Sequence, residues 1–202
     1  MIELYHGSTV NIERIDLTKS RPNKDFGCGF YLSADREQAW RMGEFKALTE
    51  GGSPVMTTYL FDEQLLSSGV LRVLTFEGYS REWAEFIFLN RNNKSIAPAH
   101  DYDIVYGPIA NDRVGVQIGK YEAGDITLDQ FLNNLKYMKG VTFQYFFGTE
   151  RAIAKLTRYE RYTTGIQAFE RAGNSSYDTD SYRRTGLHLG RSNRSCLYLI
   201  HI

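Results

Sequence analysis

The order of its apolar runs constrains this chain most. Short segments rich in β-branched and aromatic residues occur at 1–5 (MIELY), 30–32 (FYL), 55–62 (VMTTYLFD), 70–76 (VLRVLTF), 101–112 (DYDIVYGPIAND) and 141–149 (VTFQYFFGT). Each reads as a strand, the first stopping at the turn-prone HGS and the fifth at a Gly-Pro turn. Between them lie helical patterns of uneven spacing. ADREQAWRMGEFKALTEG (34–51) is headed by Ser33 or Ala34, carries Ala39, Met42 and Leu48 near one face and ends at Gly51-Gly52. REWAEFIFLNR (81–91) sets Trp83, Phe86, Ile87 and Asn90 at helical spacing. Thr127 caps a helix with Leu128, Phe131, Leu132 and Leu135 on one side, and residues 150–162 read as a short helix. Strands clustered by short helices, without a regular β-α-β-α alternation, argue for an α+β fold and against a doubly wound nucleotide fold. Neither GxGxxG nor GxxxxGK[ST] is present, so the two common phosphate loops are excluded.

Two hundred and two residues suffice for one domain with an appendage, and for a core that needs no disulfides. Cys28 and Cys196 form neither a disulfide framework nor a zinc motif, and no metal site is expected. The opening MIELYHGSTV has no basic leader or apolar core of a signal, and no run approaches the ~20 apolar residues of a membrane span. A cytoplasmic protein with no membrane association is the expectation. Net charge is zero but unevenly spread: residues 151–202 carry nine Lys and Arg against four Asp and Glu, and the rest carry 15 against 20. From about Tyr162 the chain is rich in Gly, Ser, Asn and Arg without a sustained period, then closes on the strand-like CLYLIHI. Residues 1–160 therefore read as the domain, and 161–202 as a basic, irregular C-terminal extension. That extension reads either as a solvated segment with one returning strand or as a surface that meets an acceptor or partner.

Chemistry-bearing candidates are few. Among His6, His100, His188 and His201, only His6 stands at the end of an expected buried strand beside a glycine. DFGCGFYLS at 25–33 packs two glycines among aromatic residues, as a tight loop or a close backbone approach requires. Asp25 has the position of a turn cap, Arg91 that of a cation at a helix C-terminus, and Asn111-Asp112 that of ordinary turn chemistry.

YHGS at 5–8, GFYLS some 25 residues later and a polar residue on a downstream strand resemble the ADP-ribosyltransferase superfamily, in its diphtheria-toxin-like branch with a His, Tyr, then Glu, Asp or Gln triad. With Gln38-Ala39, EFIFLNR, YDIVYGPIAND and TFQYFFGTERAIAKL, the pattern over residues 3–157 is similar to a bacterial domain-of-unknown-function family. That family is assigned to the same superfamily and is often encoded beside a small antitoxin-like protein. The resemblance implies a split pair of small, mostly antiparallel sheets with an NAD⁺ cleft between them. It implies His6, Tyr31 and Gln144 as the catalytic set, with NAD⁺ as co-substrate. His6 would bond a ribose, the Gly7 backbone the nicotinamide carboxamide, and Tyr31 would stack on the nicotinamide ring. Ser8, Asp25, Phe26, Gly27, Phe30, Trp40, Arg91 and Asp112 are implied as further cofactor-binding positions, although Trp40 also reads as a core tryptophan.

A glutamine orients a ribose hydroxyl but brings no charge to a cationic transition state. Either Gln144 suffices, or Glu150, Asp112 or Asp103 completes the site, or the domain binds NAD⁺ with little turnover. The function implied is a mono-ADP-ribosyltransferase, a toxin of a toxin–antitoxin or phage-defence system, with a small antitoxin partner and a macromolecular acceptor, protein or nucleic acid. An NAD⁺ glycohydrolase and a non-catalytic binding module are the alternatives.

Overall fold

The structure, a computed structural model, describes residues 1–159 with the exception of 96. The basic extension at 161–202 and its closing CLYLIHI lie outside the described residues. The order of elements is β1 (Ile2–Ser8), β2 (Phe30–Leu32), α1 (Arg36–Glu50), β3 (Val55–Phe61), β4 (Val73–Thr75), α2 (Arg81–Arg91), β5 (Ile104–Pro108), α3 (Asp112–Glu122), α4 (Leu128–Lys136), β6 (Phe143–Phe147), α5 (Glu150–Ile153) and β7 (Thr157–Tyr159). These make an α+β fold of two small sheets and several short helices, β1-β3-β7 in one sheet and β2-β6-β5-β4 in the other. All pairings are antiparallel except β4 with β5. A bridge joins the two sheets, with Tyr5 N–H donating to Ser33 C=O at 2.8 Å and Ser33 N–H to Tyr5 C=O at 2.9 Å.

Strand β6 explains why this works. Its run FQYFF is apolar on both faces because both faces are covered. Phe146 packs with Tyr31, Val105, Trp83, Ile87, Ile118 and Phe131 on the helical side. Tyr145 and Phe147 point the other way, onto Leu4, Tyr59, Phe61, Leu32 and Ile104. Gln144 shares the parity of Phe146, so it is carried onto the helical face with Tyr31.

Several local expectations are corrected. Strand β1 runs through the HGS that reads as a turn, because Ser8 still pairs with Val55. Helix α1 is capped by Asp35, whose carboxylate accepts from the N–H groups of Glu37 and Gln38, and not by Ser33 or Ala34; Ser33 Oγ is donated to Gln38 instead. Residues 112–122, to which the sequence assigned nothing beyond the Asn111-Asp112 turn, form α3, with Asn111 as N-cap and Val114 and Ile118 buried. Over its described residues, 150–159, the expected helix is not continuous: α5 is four residues long and gives way to β7, which pairs with β3. Thr127 and Gln130 form a full capping box at α4, as the sequence indicates.

Candidate functional site

The site is assembled around the loop that leads into β2. Gly27 sits at φ +87°, a conformation that side chains disfavour, and a Cβ there would meet Asn90 Oδ1 at 2.7 Å. Two devices hold the loop. On one side the Tyr31 hydroxyl donates to Gly27 C=O at 2.8 Å and accepts from Phe26 N–H at 3.1 Å. On the other, the Asp25 carboxylate takes Nε and Nη2 of Arg91 at 2.7 and 2.6 Å and the Ala110 N–H at 2.8 Å. Asp25 and Arg91 are both largely buried, so the pair ties the loop to the end of α2 and to the turn before α3.

His6 and Tyr31 meet across the junction of the sheets. His6 Nδ1 lies 2.9 Å from Tyr31 C=O. A carbonyl only accepts, so Nδ1 carries the hydrogen and Nε2 is left as an acceptor. The imidazole is stacked on Phe30 at 4.6 Å. Burial, and then the positive charges of Lys46 and Lys24, depress its pKa to about 3, which fixes this neutral tautomer at any ordinary pH. Burial and the Asp25 charge push the Tyr31 hydroxyl well above its ordinary value, so it remains a donor.

His6 and Tyr31 line a cleft of about 830 Å³, within the range of small-molecule sites, together with Ser8, Phe30, Lys24 and Lys46. Gly7 adjoins it through its backbone. Tyr5 turns its N–H and C=O away from β3 toward Ser33, so Gly7, two residues on, presents its own along the same edge. Lys46 Nζ donates to that Gly7 carbonyl at 3.1 Å. Glycine is required here by helix packing: a Cβ on Gly7 would lie 1.7 Å from the Ala39 carbonyl oxygen of α1. Lys24 Nζ lies over the Tyr31 ring, 4.7 Å from its centroid. Burial, then Lys46 and Arg21, bring the Lys24 pKa down to about 8, and burial lowers that of Lys46 although the Glu50 charge opposes it. Neither lysine stood out in the sequence. Lys24 falls in irregular text and Lys46 in a helix, where a lone lysine reads as solvated surface.

The remaining candidates scatter. Gln144 is 1 % exposed, on the sheet face of Tyr31 but not among the residues lining the cleft, and its Nε2 has no hydrogen-bond partner. Phe26 is core, and Trp40 is bonded to Glu44 along the surface of α1. Asp25 and Arg91 are engaged with each other. Asp112 opens α3 and lines a smaller pocket of about 350 Å³ with Gln38, Ile109 and Thr142. Of the carboxylates weighed to assist Gln144, Asp103 and Glu150 lie toward the opposite end of the second sheet, near Phe147, whereas Gln144 pairs with Gly107. Asp103 is fully engaged by Arg151, Thr149 and the Arg72 N–H. Gly27 lines a larger cavity of about 1100 Å³ with Asn90 and His100, whose ring nitrogens are both satisfied, by Phe26 C=O and Tyr102 N–H. Among the described residues no cluster of His, Cys, Asp and Glu is able to hold a metal, and no helix is long and apolar enough to cross a membrane.

Comparison with known proteins returns a match to a family model described as "Protein of unknown function (DUF3990)", over residues 2–158. No curated protein and no solved structure matches.

Proposed function

The chain belongs to the DUF3990 family, and we propose that it is an NAD⁺-dependent mono-ADP-ribosyltransferase whose nicotinamide half enters the cleft at His6 and Tyr31. The observation that carries this reading is the convergence on one cleft of three complementary features. These are a neutral imidazole with Nε2 free to accept, a strand edge offering the Gly7 N–H and C=O, and an aromatic ring already covered by a cation. Nε2 suits a ribose hydroxyl. The Gly7 edge suits a carboxamide, which both donates and accepts. The Tyr31 ring suits the flat, positively charged pyridinium.

In the reaction, the bond from ribose C1′ to the nicotinamide nitrogen breaks and its electron pair neutralises the ring. The acceptor's nucleophilic atom then bonds C1′ and loses its proton. The chain's contribution is to orient the ribose and hold the ring while positive charge grows on the sugar. Gln144 supplies no charge, but its unpaired Nε2 is a donor without a partner, of the kind that a ligand satisfies. The same residue supports the second reading, a non-catalytic NAD⁺-binding module, because it is buried and does not line the cleft. A role as the toxin of a cytoplasmic toxin–antitoxin or defence pair, restrained by a small protein and acting on a protein or nucleic acid, belongs to this proposal on the strength of the sequence resemblance.

Incubation of the protein with adenylate-labelled NAD⁺ and cell extract tests it. Label transferred to macromolecules is expected. Free ADP-ribose alone would make the protein a glycohydrolase, and intact NAD⁺ bound without turnover would make it a binding module.

A further inference from the structure

The cleft holds two ammonium groups to which the preceding reading gives no role in binding the dinucleotide. Lys24 Nζ occupies the cation position over the Tyr31 ring, and Lys46 Nζ donates to the Gly7 carbonyl. Neither is in an ion pair among the described residues; the nearby Glu50 is taken by Arg21 at 3.0 Å. Five cationic side chains, Arg14, Lys19, Arg21, Lys24 and Lys46, line the cleft against three acidic ones, Glu13, Asp16 and Glu50. Two like charges are therefore crowded into a partly buried space beside an imidazole that cannot be anionic. Glu50 offsets part of this for Lys46, but its closest ion pair is with Arg21, so a bound anion would relieve the crowding further.

The contacts that these lysines make are the two that the nicotinamide would take, a cation on the ring and an N–H on the Gly7 carbonyl. Resting on the proposed NAD⁺ reading, we infer that Lys24 and Lys46 hold the nicotinamide's place in the ligand-free cleft and pass to the diphosphate when a dinucleotide enters. Each lysine leaves one favourable contact and gains a stronger one to phosphate. Both have flexible four-carbon stems that permit the exchange. The consequence is selectivity. Free nicotinamide must displace two cations without offering them an anion, whereas a substrate carrying a diphosphate receives both. Ring binding and diphosphate binding are thereby coupled in the favourable sense.

Calorimetric titration of the wild type, Lys24→Met and Lys46→Gln with pyrophosphate, nicotinamide and ADP-ribose tests the exchange, with circular dichroism to establish that each variant is folded. Pyrophosphate and ADP-ribose should bind each variant about tenfold more weakly, the scale of one charge-assisted hydrogen bond. Nicotinamide should bind the variants more tightly than it binds the wild type. Saturating pyrophosphate should tighten nicotinamide binding to the wild type. Wild-type binding of nicotinamide that neither substitution nor pyrophosphate alters would overturn the exchange and leave the NAD⁺ reading standing. Pyrophosphate binding that depends on both lysines, with no nicotinamide bound under any condition, would overturn the exchange together with the NAD⁺ reading.

Discussion

Two charged regions of this molecule are built on opposite terms. Around the second sheet, Asp25 and Asp103 are buried carboxylates whose partners are complete: Asp25 has Arg91 and the Ala110 N–H, and Asp103 has Arg151, Thr149 and the Arg72 N–H. Burial alone would raise the Asp103 pKa, yet the hydrogen bonds from Arg151, Arg72 and Thr149 hold it at about 2. By contrast, neither Lys24 nor Lys46, which line the cleft with a neutral histidine, is in an ion pair among the described residues, and the buried Gln144, outside the cleft lining, has an amide Nε2 without a partner. The first region spends its polar groups on holding the chain together. The second leaves them short of partners, which is how a site waiting for a ligand differs from a structural knot.

The largest effect that this contrast predicts is at Asp25. Asp25→Ala leaves the Arg91 guanidinium buried and unpaired and should lower stability by about 3–5 kcal/mol in urea titration. It should also cost activity through the loop that carries Tyr31. A loss below 1 kcal/mol would place Asp25 with the cleft groups instead.

The next concerns acid. The unfolded chain protonates His6 near 6.5, while the folded chain protonates it at about 3, so the unfolded state binds the extra proton between those values. Stability should therefore fall by roughly 1.4 kcal/mol per pH unit as pH drops through that window, and level off below it. Denaturation of wild type and His6→Gln at pH 7 and pH 5 checks this, because the variant should lack this share of the loss. Equal slopes would mean that the imidazole is not buried neutral.

Smaller effects should have the opposite sign. Lys24→Met removes a partly buried cation and Gln144→Met an unpaired amide donor, and each should leave the protein as stable as the wild type or up to about 1 kcal/mol more so. A loss of 2 kcal/mol in either variant would mean that the group has a structural partner, and the contrast between the two regions would fail there.

These differences also mark what the sequence discloses. The aromatic run of β6, strand β2 and the two glycines flanking Cys28 were legible, because strand periodicity and a glycine-framed loop are local signals, whereas His6 and Tyr31 were singled out as a pair by the family resemblance. Gln144 lies on β6, a strand expected from the sequence, but its burial follows from α2, α3 and α4 covering that face, which no local pattern states. Helix α3 was missed because Gly115, Gly119, Val114 and Val116 weaken its propensity, and only Asn111 and the spacing of Val114 with Ile118 announce it. Asp25 and Arg91 are 66 residues apart and read singly as a turn cap and a helix-end cation; their pairing is a product of tertiary structure. Lys24 and Lys46 were invisible for the same reason, since only the fold brings them into one cleft and gives the nearby Glu50 to Arg21.

The central claim is that the His6–Tyr31 cleft cleaves NAD⁺, and release of nicotinamide followed by chromatography measures it most directly. The wild type should release nicotinamide, and His6→Ala should do so ~10²–10³-fold more slowly while remaining folded, the effect of losing one well-placed site group, about 2.7–4 kcal/mol. Release by folded His6→Ala at the wild-type rate, or none by the wild type with cell extract supplying acceptors, would contradict it.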